Sequence, residues 1–249
     1  MRRHPKLIAG VIVAILILIG ALGYVWLNDL ADPMPETETA LASDEQVTVT
    51  TEPWLTFTPS EPASTGLIFY PGGRVPAQAY APPLREIAAA GYTAVAPDMP
   101  LGLAVLAADT ADDVIAAHPQ IEQWVIAGHS LGGAMAAQYA EGHDAIDGLA
   151  LWAAYPPGGV DLSDSSIAAA SIYATEDGLT SLDEVEASRA QLPPGTTFVE
   201  IAGGNHAGFG WYGEQDGDGV ATIAREEQQT QVVAATVELL DTVTNASGG

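Results

Sequence analysis

The feature that most constrains this chain is a repeated alternation of short apolar runs with Ala-rich stretches. The runs are Val47–Thr51, Trp54–Thr58, Leu67–Tyr70, Thr93–Ala96, Trp124–Ala127, Leu149–Ala154, Ser171–Ala174 and Thr197–Ile201. Most of the later ones are apolar almost throughout, as strands buried on both faces must be. Between them lie segments with helical spacing: Ala79–Ala90, Leu103–Ala117, Leu131–Glu141, Ser181–Gln191 and Val220–Val243. This pattern predicts an α/β fold with a mostly parallel central sheet and helices on both faces. No helix separates the first two runs, so they are expected to pair as an antiparallel hairpin at one edge. The expected domain covers residues 47–244, with a short polar tail at 245–249.

Ahead of that domain the charge is unevenly spread. Arg2, Arg3 and Lys6 precede residue 7, all 32 acidic residues follow residue 28, and the 21 residues Leu7–Leu27 carry no charge. As a helix this run would span ~31 Å, about the thickness of a bilayer core. Tyr24 and Trp26 close it with rings suited to the interface. The expectation is a transmembrane signal anchor over 7–27 and a cytoplasmic basic N-terminus over 1–6. The catalytic domain would then lie outside the cell membrane on a single-pass protein, or be secreted if the segment is cleaved. Residues 28–46, acidic and Pro-containing, read as a flexible linker.

Composition removes several classes. The 249 residues include no Cys, which excludes a disulfide scaffold and a thiol nucleophile. A formal charge of −25 argues against a nucleic-acid partner. The acidic surface reads as a solubility feature. Glu214–Gly219 resembles a calcium loop, but Arg225 stands where the bidentate Glu would be needed. No P-loop, dinucleotide fingerprint or HExxH is present, so no metal and no cofactor is expected. Nothing indicates the oligomeric state.

The chemistry centres on Ala127-Gly128-His129-Ser130-Leu131-Gly132-Gly133, a G-x-S-x-G between a strand candidate and a helix candidate. A serine on such a turn is held in a strained conformation with its hydroxyl projecting, and Gly128 and Gly132 provide the room. Ser130 is the candidate nucleophile. Of the five His residues, His4 precedes the anchor, His118 and His143 sit late in helices, and His129 adjoins Ser130 and should point away from it. His206, in the loop after the last strand candidate, is the candidate base. Asp177, after the strand candidate Ser171–Ala174, is the candidate orienting acid, with Glu176, Asp161 and Asp164 as rivals. The oxyanion donors are expected to be the backbone N–H of Leu131 and that of Gly73, with Arg74 next.

Taken together, Tyr70-Pro-Gly-Gly-Arg74, Ala96-Pro-Asp-Met-Pro100, Gly128-His-Ser-Leu-Gly-Gly133, Glu176-Asp-Gly178 and Gly204-Asn-His-Ala207 resemble the α/β-hydrolase superfamily from about Gly66 to Leu240. They are most similar to its cap-less alpha/beta hydrolase fold-5 group, with dienelactone-hydrolase-like relatives. The resemblance implies an α/β-hydrolase fold and a triad in the chain order Ser130, Asp177, His206. Two departures stand out: Pro71 occupies the place of the usual His before the oxyanion glycine, and the Cys of the dienelactone enzymes is missing. The interval from Ala154 to Ser171 holds only about 16 residues, too few for a helical lid. An open site is therefore expected, with Trp152, Tyr155, Trp211 and Tyr212 as candidate lining. The substrate class expected is a small ester. An amidase, peptidase or thioesterase with the same triad, or a catalytically silent binding protein, are the alternatives.

Overall fold

The structure is a computed structural model, and it describes residues 30–246 together with Gly20 and Gly23. The chain divides into two units, Met1–Leu30 and Ala31–Gly249, and the fold lies in the second. The expected anchor at 7–27 falls outside the described residues except for those two glycines. Among the described residues no helix is long and apolar enough to cross a membrane.

Eight strands form one sheet: β1 (Val47–Thr50), β2 (Leu55–Pro59), β3 (Thr65–Tyr70), β4 (Thr93–Ala96), β5 (Gln123–His129), β6 (Gly148–Trp152), β7 (Ala168–Ala174) and β8 (Thr197–Ile201). Their order is β1-β2-β4-β3-β5-β6-β7-β8. The first two make the expected antiparallel hairpin, with Val47 opposite Pro59, and β2 pairs antiparallel with β4. Every other pairing is parallel. Among the described residues six α-helices accompany them: α1 (Glu36–Ala40), α2 (Ala81–Ala89), α3 (Thr110–Ala117), α4 (Leu131–Gly142), α5 (Leu182–Ser188) and α6 (Arg225–Ala246).

Two apolar cores follow from the period-2 alternation of the strands. Leu67, Phe69, Val125, Ala127, Ala150 and Trp152 join one core, with Leu84 and Ile87 of α2 and Val232, Leu239 and Leu240 of α6. Their neighbours Ile68, Tyr70, Trp124, Ile126, Leu149 and Leu151 join the other, with Val114 of α3 and Met135, Ala136 and Tyr139 of α4. A sheet covered on both faces needs the continuous apolar runs read from the sequence. Local chemistry trims the helices. Pro82 and Pro83 sit in the first turn of α2, where a missing N–H costs no helical bond. Ser181 and Glu184 close a reciprocal capping box at the start of α5.

Three expectations need correction. The helix expected over Leu103–Ala117 is shortened to Thr110–Ala117, because Leu101 (φ 57°) and Gly102 (φ 66°) turn the backbone left-handed and two short 3-10 turns precede it. The last helix begins at Arg225 rather than Val220, leaving residues 213–224 as a loop against the site. The linker is not a free tether over 31–46. The Ala31 N–H donates to the Arg74 carbonyl (2.9 Å) and the Met34 N–H to that of Trp211 (2.8 Å). Ala40 joins the core, and Arg85 of α2 donates to the carbonyl of Ala42 (2.6 Å) and to Asp44. Its polar composition hid a few small apolar contacts and a set of backbone hydrogen bonds that only a docked segment makes.

Candidate active site

The site is assembled at the carboxyl ends of β3, β5, β6, β7 and β8. Strand β5 runs to His129, α4 starts at Leu131, and Ser130 alone makes the turn, at φ 52° and ψ −122°. This conformation is costly for a residue with a Cβ and is stable only when its surroundings over-determine it. The surroundings are backbone: the Ser130 N–H donates to the Trp152 carbonyl (3.0 Å), and its own carbonyl accepts from Ala134 (3.1 Å). The turn is closed tightly enough that a Cβ on Gly128 would lie 2.5 Å from the Gly132 carbonyl carbon. A Cβ on Gly132 would overlap the Tyr70 and Pro71 carbonyl oxygens. All four described non-glycine residues with positive φ, Arg74, Leu101, Ser130 and Ala153, lie in loops at this end of the sheet or tied to it.

Asp177 and His206 come together across the ends of β7 and β8. Asp177 Oδ2 is 2.8 Å from His206 Nδ1, and both side chains are 1% exposed. The other carboxylate oxygen accepts the N–H groups of Leu179 (2.8 Å) and Thr180 (2.7 Å), which fixes the carboxylate plane. The rivals do not reach His206: Glu176 accepts from Thr175, Asp161 accepts from Ser163, and Asp164 is exposed. With Nδ1 held by a carboxylate, Nε2 is the nitrogen left for chemistry, and it is buried with no hydrogen-bond partner. No hydrogen bond joins it to Ser130. The His206 ring lies 4.5 Å, centroid to centroid, from the ring of His129, the residue next to Ser130.

The amide groups around the serine are unequal. Leu131 opens α4, so its N–H has no carbonyl one turn back. Gly73 packs against it: a Cβ there would sit 3.3 Å from the Leu131 side chain. The Arg74 N–H donates to the Gly102 carbonyl at 2.6 Å, so that amide is committed to the loop and only Gly73 of the two remains as a candidate donor.

Several residues that shape the site escaped sequence reasoning. Asp218 lies in the stretch Glu214–Gly219 that resembles a calcium loop. Its carboxylate accepts the N–H groups of His206 (3.1 Å) and Ala207 (2.8 Å) on the loop after β8 and of Gly178 (3.1 Å) on the loop after β7. Arg225 donates to the carbonyls of Ala207, Gly210 and Gly213, and Gln228 exchanges hydrogen bonds with the backbone of Asn205 (3.1 and 2.8 Å). These α6 side chains brace the loop that carries His206. A signal was available in the polar cluster Arg225–Gln229, but nothing local says what it faces. Among the described residues no group of three or more His, Asp and Glu side chains could hold a metal ion.

Beside Ser130 is a cleft of about 200 Å³, lined by Leu131, Ala134, Ala154, Tyr155, Pro157 and Leu179 among others. The connection from β6 to β7 contains no helix that could cover it. Of the four aromatics expected there only Tyr155 lines it, its hydroxyl donating to Glu184 (2.8 Å). Trp152 is instead wholly buried, with its indole N–H on Thr236 (3.1 Å), since strand alternation points it into the core. Trp211 lies against α2 and α6, and Tyr212 packs beside Tyr80 and His129.

A mostly parallel eight-stranded sheet in this order, with a strained serine on the turn after its fifth strand, defines the α/β-hydrolase class. Residues 66–230 match the model of the alpha/beta hydrolase family, and the chain belongs to that family. Solved structures of similar fold include a CIB-like hydrolase from Thermoplasma acidophilum, at 16% identity and TM-score 0.58, with 79% of this chain and 99% of that one covered. Another is the monoacylglycerol lipase of Paleococcus ferrophilus, at 15% identity and TM-score 0.57, covering 78% and 99%. Among curated proteins no sequence matches this chain.

Proposed function

We propose that this protein is a serine hydrolase acting on small carboxylic esters. The observation that carries the reading is a strained, half-buried Ser130 at the same end of the sheet as a buried Asp177–His206 couple whose Nε2 is unpartnered. In the reaction, Nε2 of His206 takes the Ser130 proton as Oγ attacks the ester carbonyl. Asp177 holds the proton on Nδ1 and offsets the charge of the imidazolium that forms. The N–H groups of Leu131 and Gly73 receive the developing oxyanion, at a helix N-terminus that favours negative charge. His206 then returns the proton to the leaving alcohol. Water, activated by the same nitrogen, releases the acid from the acyl-enzyme.

The uncapped, small and mainly apolar cleft suits a short acyl group. Acetyl and butyryl p-nitrophenyl esters are expected to be turned over with higher kcat/KM than decanoyl or palmitoyl esters. The decisive test is a fluorophosphonate probe on wild type and Ser130→Ala. Wild type is expected to label, and the variant to lose labelling together with about 10⁴- to 10⁶-fold of kcat. An unlabelled wild type would instead favour a binding protein on a hydrolase scaffold, and amide turnover exceeding ester turnover would favour an amidase.

The site is further proposed to lie outside the cell membrane, tethered by residues 7–27. Support comes from the uncharged 21-residue run and its basic N-terminal flank. The full chain is expected to stay with membranes after alkaline carbonate extraction. Its release would remove the anchor.

A further inference from the structure

We propose that Tyr80 and His129 form a positioning pair that seats the oxyanion loop and the ring of the base, an inference that rests on the hydrolase reading above. Tyr80 ends a 3-10 turn (Ala77–Tyr80) and is wholly buried between the loop 71–74 and β5. Its hydroxyl is 3.1 Å from the Gly72 nitrogen and 2.8 Å from His129 Nδ1. An amide N–H can only donate, so the Tyr80 oxygen accepts from Gly72 and shares a second hydrogen bond with Nδ1, whose direction follows the tautomer of His129. His129 is a buried, neutral imidazole. Burial and the neighbouring His206 ring both hold its pKa well below the ordinary histidine value.

Each end of this pair touches part of the reaction machinery. At the loop end, a Cβ on Gly72 would lie 2.8 Å from both the Tyr80 oxygen and His129 Nδ1, so the backbone rests directly on the two side chains. Tyr80 holds the Gly72 N–H while Val75 donates to the Gly72 carbonyl (3.1 Å). The Gly72–Gly73 peptide plane, and with it the Gly73 N–H, is then fixed on either side. At the base end, His129 packs 4.5 Å from the His206 ring and stacks on Phe209 at 5.6 Å with a 17° interplanar angle. A flat, uncharged ring there limits rotation of His206 and adds no charge to oppose its protonation. Neither Tyr80 nor His129 lines the cleft beside Ser130, so neither is positioned to bind substrate.

Tyr80→Phe would leave the Gly72 N–H and His129 Nδ1 buried without partners. The expected result is a fall in kcat of about 10- to 100-fold, below the effect of deleting an oxyanion donor outright, with KM changed less than about threefold because uniform binding is untouched. Rates are taken per fluorophosphonate-labelled site, so unfolded protein does not count. Tyr139→Phe, which removes a hydroxyl hydrogen-bonded to Asp112 on the other face of the sheet, is expected to lower the melting temperature without changing kcat. His129→Asn, which keeps a hydrogen-bonding amide for Tyr80, is expected to retain more kcat than His129→Leu. Full kcat in Tyr80→Phe overturns the pair, as do equal rates in the two His129 variants should Tyr80→Phe fail to fold. A wild type inert toward both esters and the probe overturns the hydrolase reading, and the pair with it.

Discussion

Asp177→Asn is expected to lower kcat by about 10⁴-fold while the protein stays folded. The reason lies in which carboxylate oxygen does what. Oδ1 accepts two backbone N–H groups, from Leu179 and Thr180, and Oδ2 faces His206 Nδ1 at 2.8 Å. An asparagine must keep its carbonyl oxygen toward the two amides, because an NH₂ there would meet donors. Its NH₂ is then forced toward Nδ1, which can accept it only as an unprotonated nitrogen. The imidazole hydrogen moves to Nε2, and that nitrogen can no longer take a proton from Ser130. The result is a side chain of unchanged shape in the wrong tautomer. Steady-state kinetics with a short-chain ester, beside a melting curve, measure both halves. A decrease of less than about tenfold would mean that Asp177 does not set the tautomer of the base.

Gly132→Ala is expected to destabilise the protein by about 4 kcal/mol or more, at the upper end of single substitutions. The added methyl would overlap the Tyr70 and Pro71 carbonyl oxygens, which are backbone atoms at the end of a central strand and cannot swing aside. Relief would require α4 to move away from β3, and α4 also packs on β5 and β6 through Met135 and Ala136. A helix-favouring residue is thus expected to be the most harmful change in its helix, against the usual gain of Ala over Gly. Urea unfolding and soluble yield report it. A midpoint close to wild type would show that the turn after β5 is looser than the contact of α4 with β3 requires.

Much of the fold was legible because its signals are local. Each of the eight runs is a strand; in the interior strands β3, β4 and β6 burial on both faces removes charged residues from the whole run, while the edge strands β1 and β8 keep Thr48, Thr50 and Glu200. Their ends were less legible. Ala153, at φ 45°, leaves β6 two residues earlier than its apolar run implied, and β7 begins at Ala168 rather than Ser171. Residues 28–46 read as a tether from composition because the backbone hydrogen bonds of Ala31 and Met34 to Arg74 and Trp211 leave no mark on it. Tyr155 and Trp152 were indistinguishable as candidate lining until the strand register sent one to the cleft and the other to the core.

What the sequence determined by itself was the kind of local structure and the place of the strained serine turn. Strand and helix periodicities are properties of short windows, and Gly128 and Gly132 mark a turn that no bulkier residues would permit. Only tertiary structure decided how distant groups meet. It selected Asp177 over Glu176, Asp161 and Asp164 as the partner of His206, made Asp218 the brace between two loops, and set Tyr80 against His129. These contacts join residues 12 to 49 positions apart in the chain. Each depends on strand order and loop paths fixed by burial over the whole sheet, a sum to which no short window of residues holds the answer.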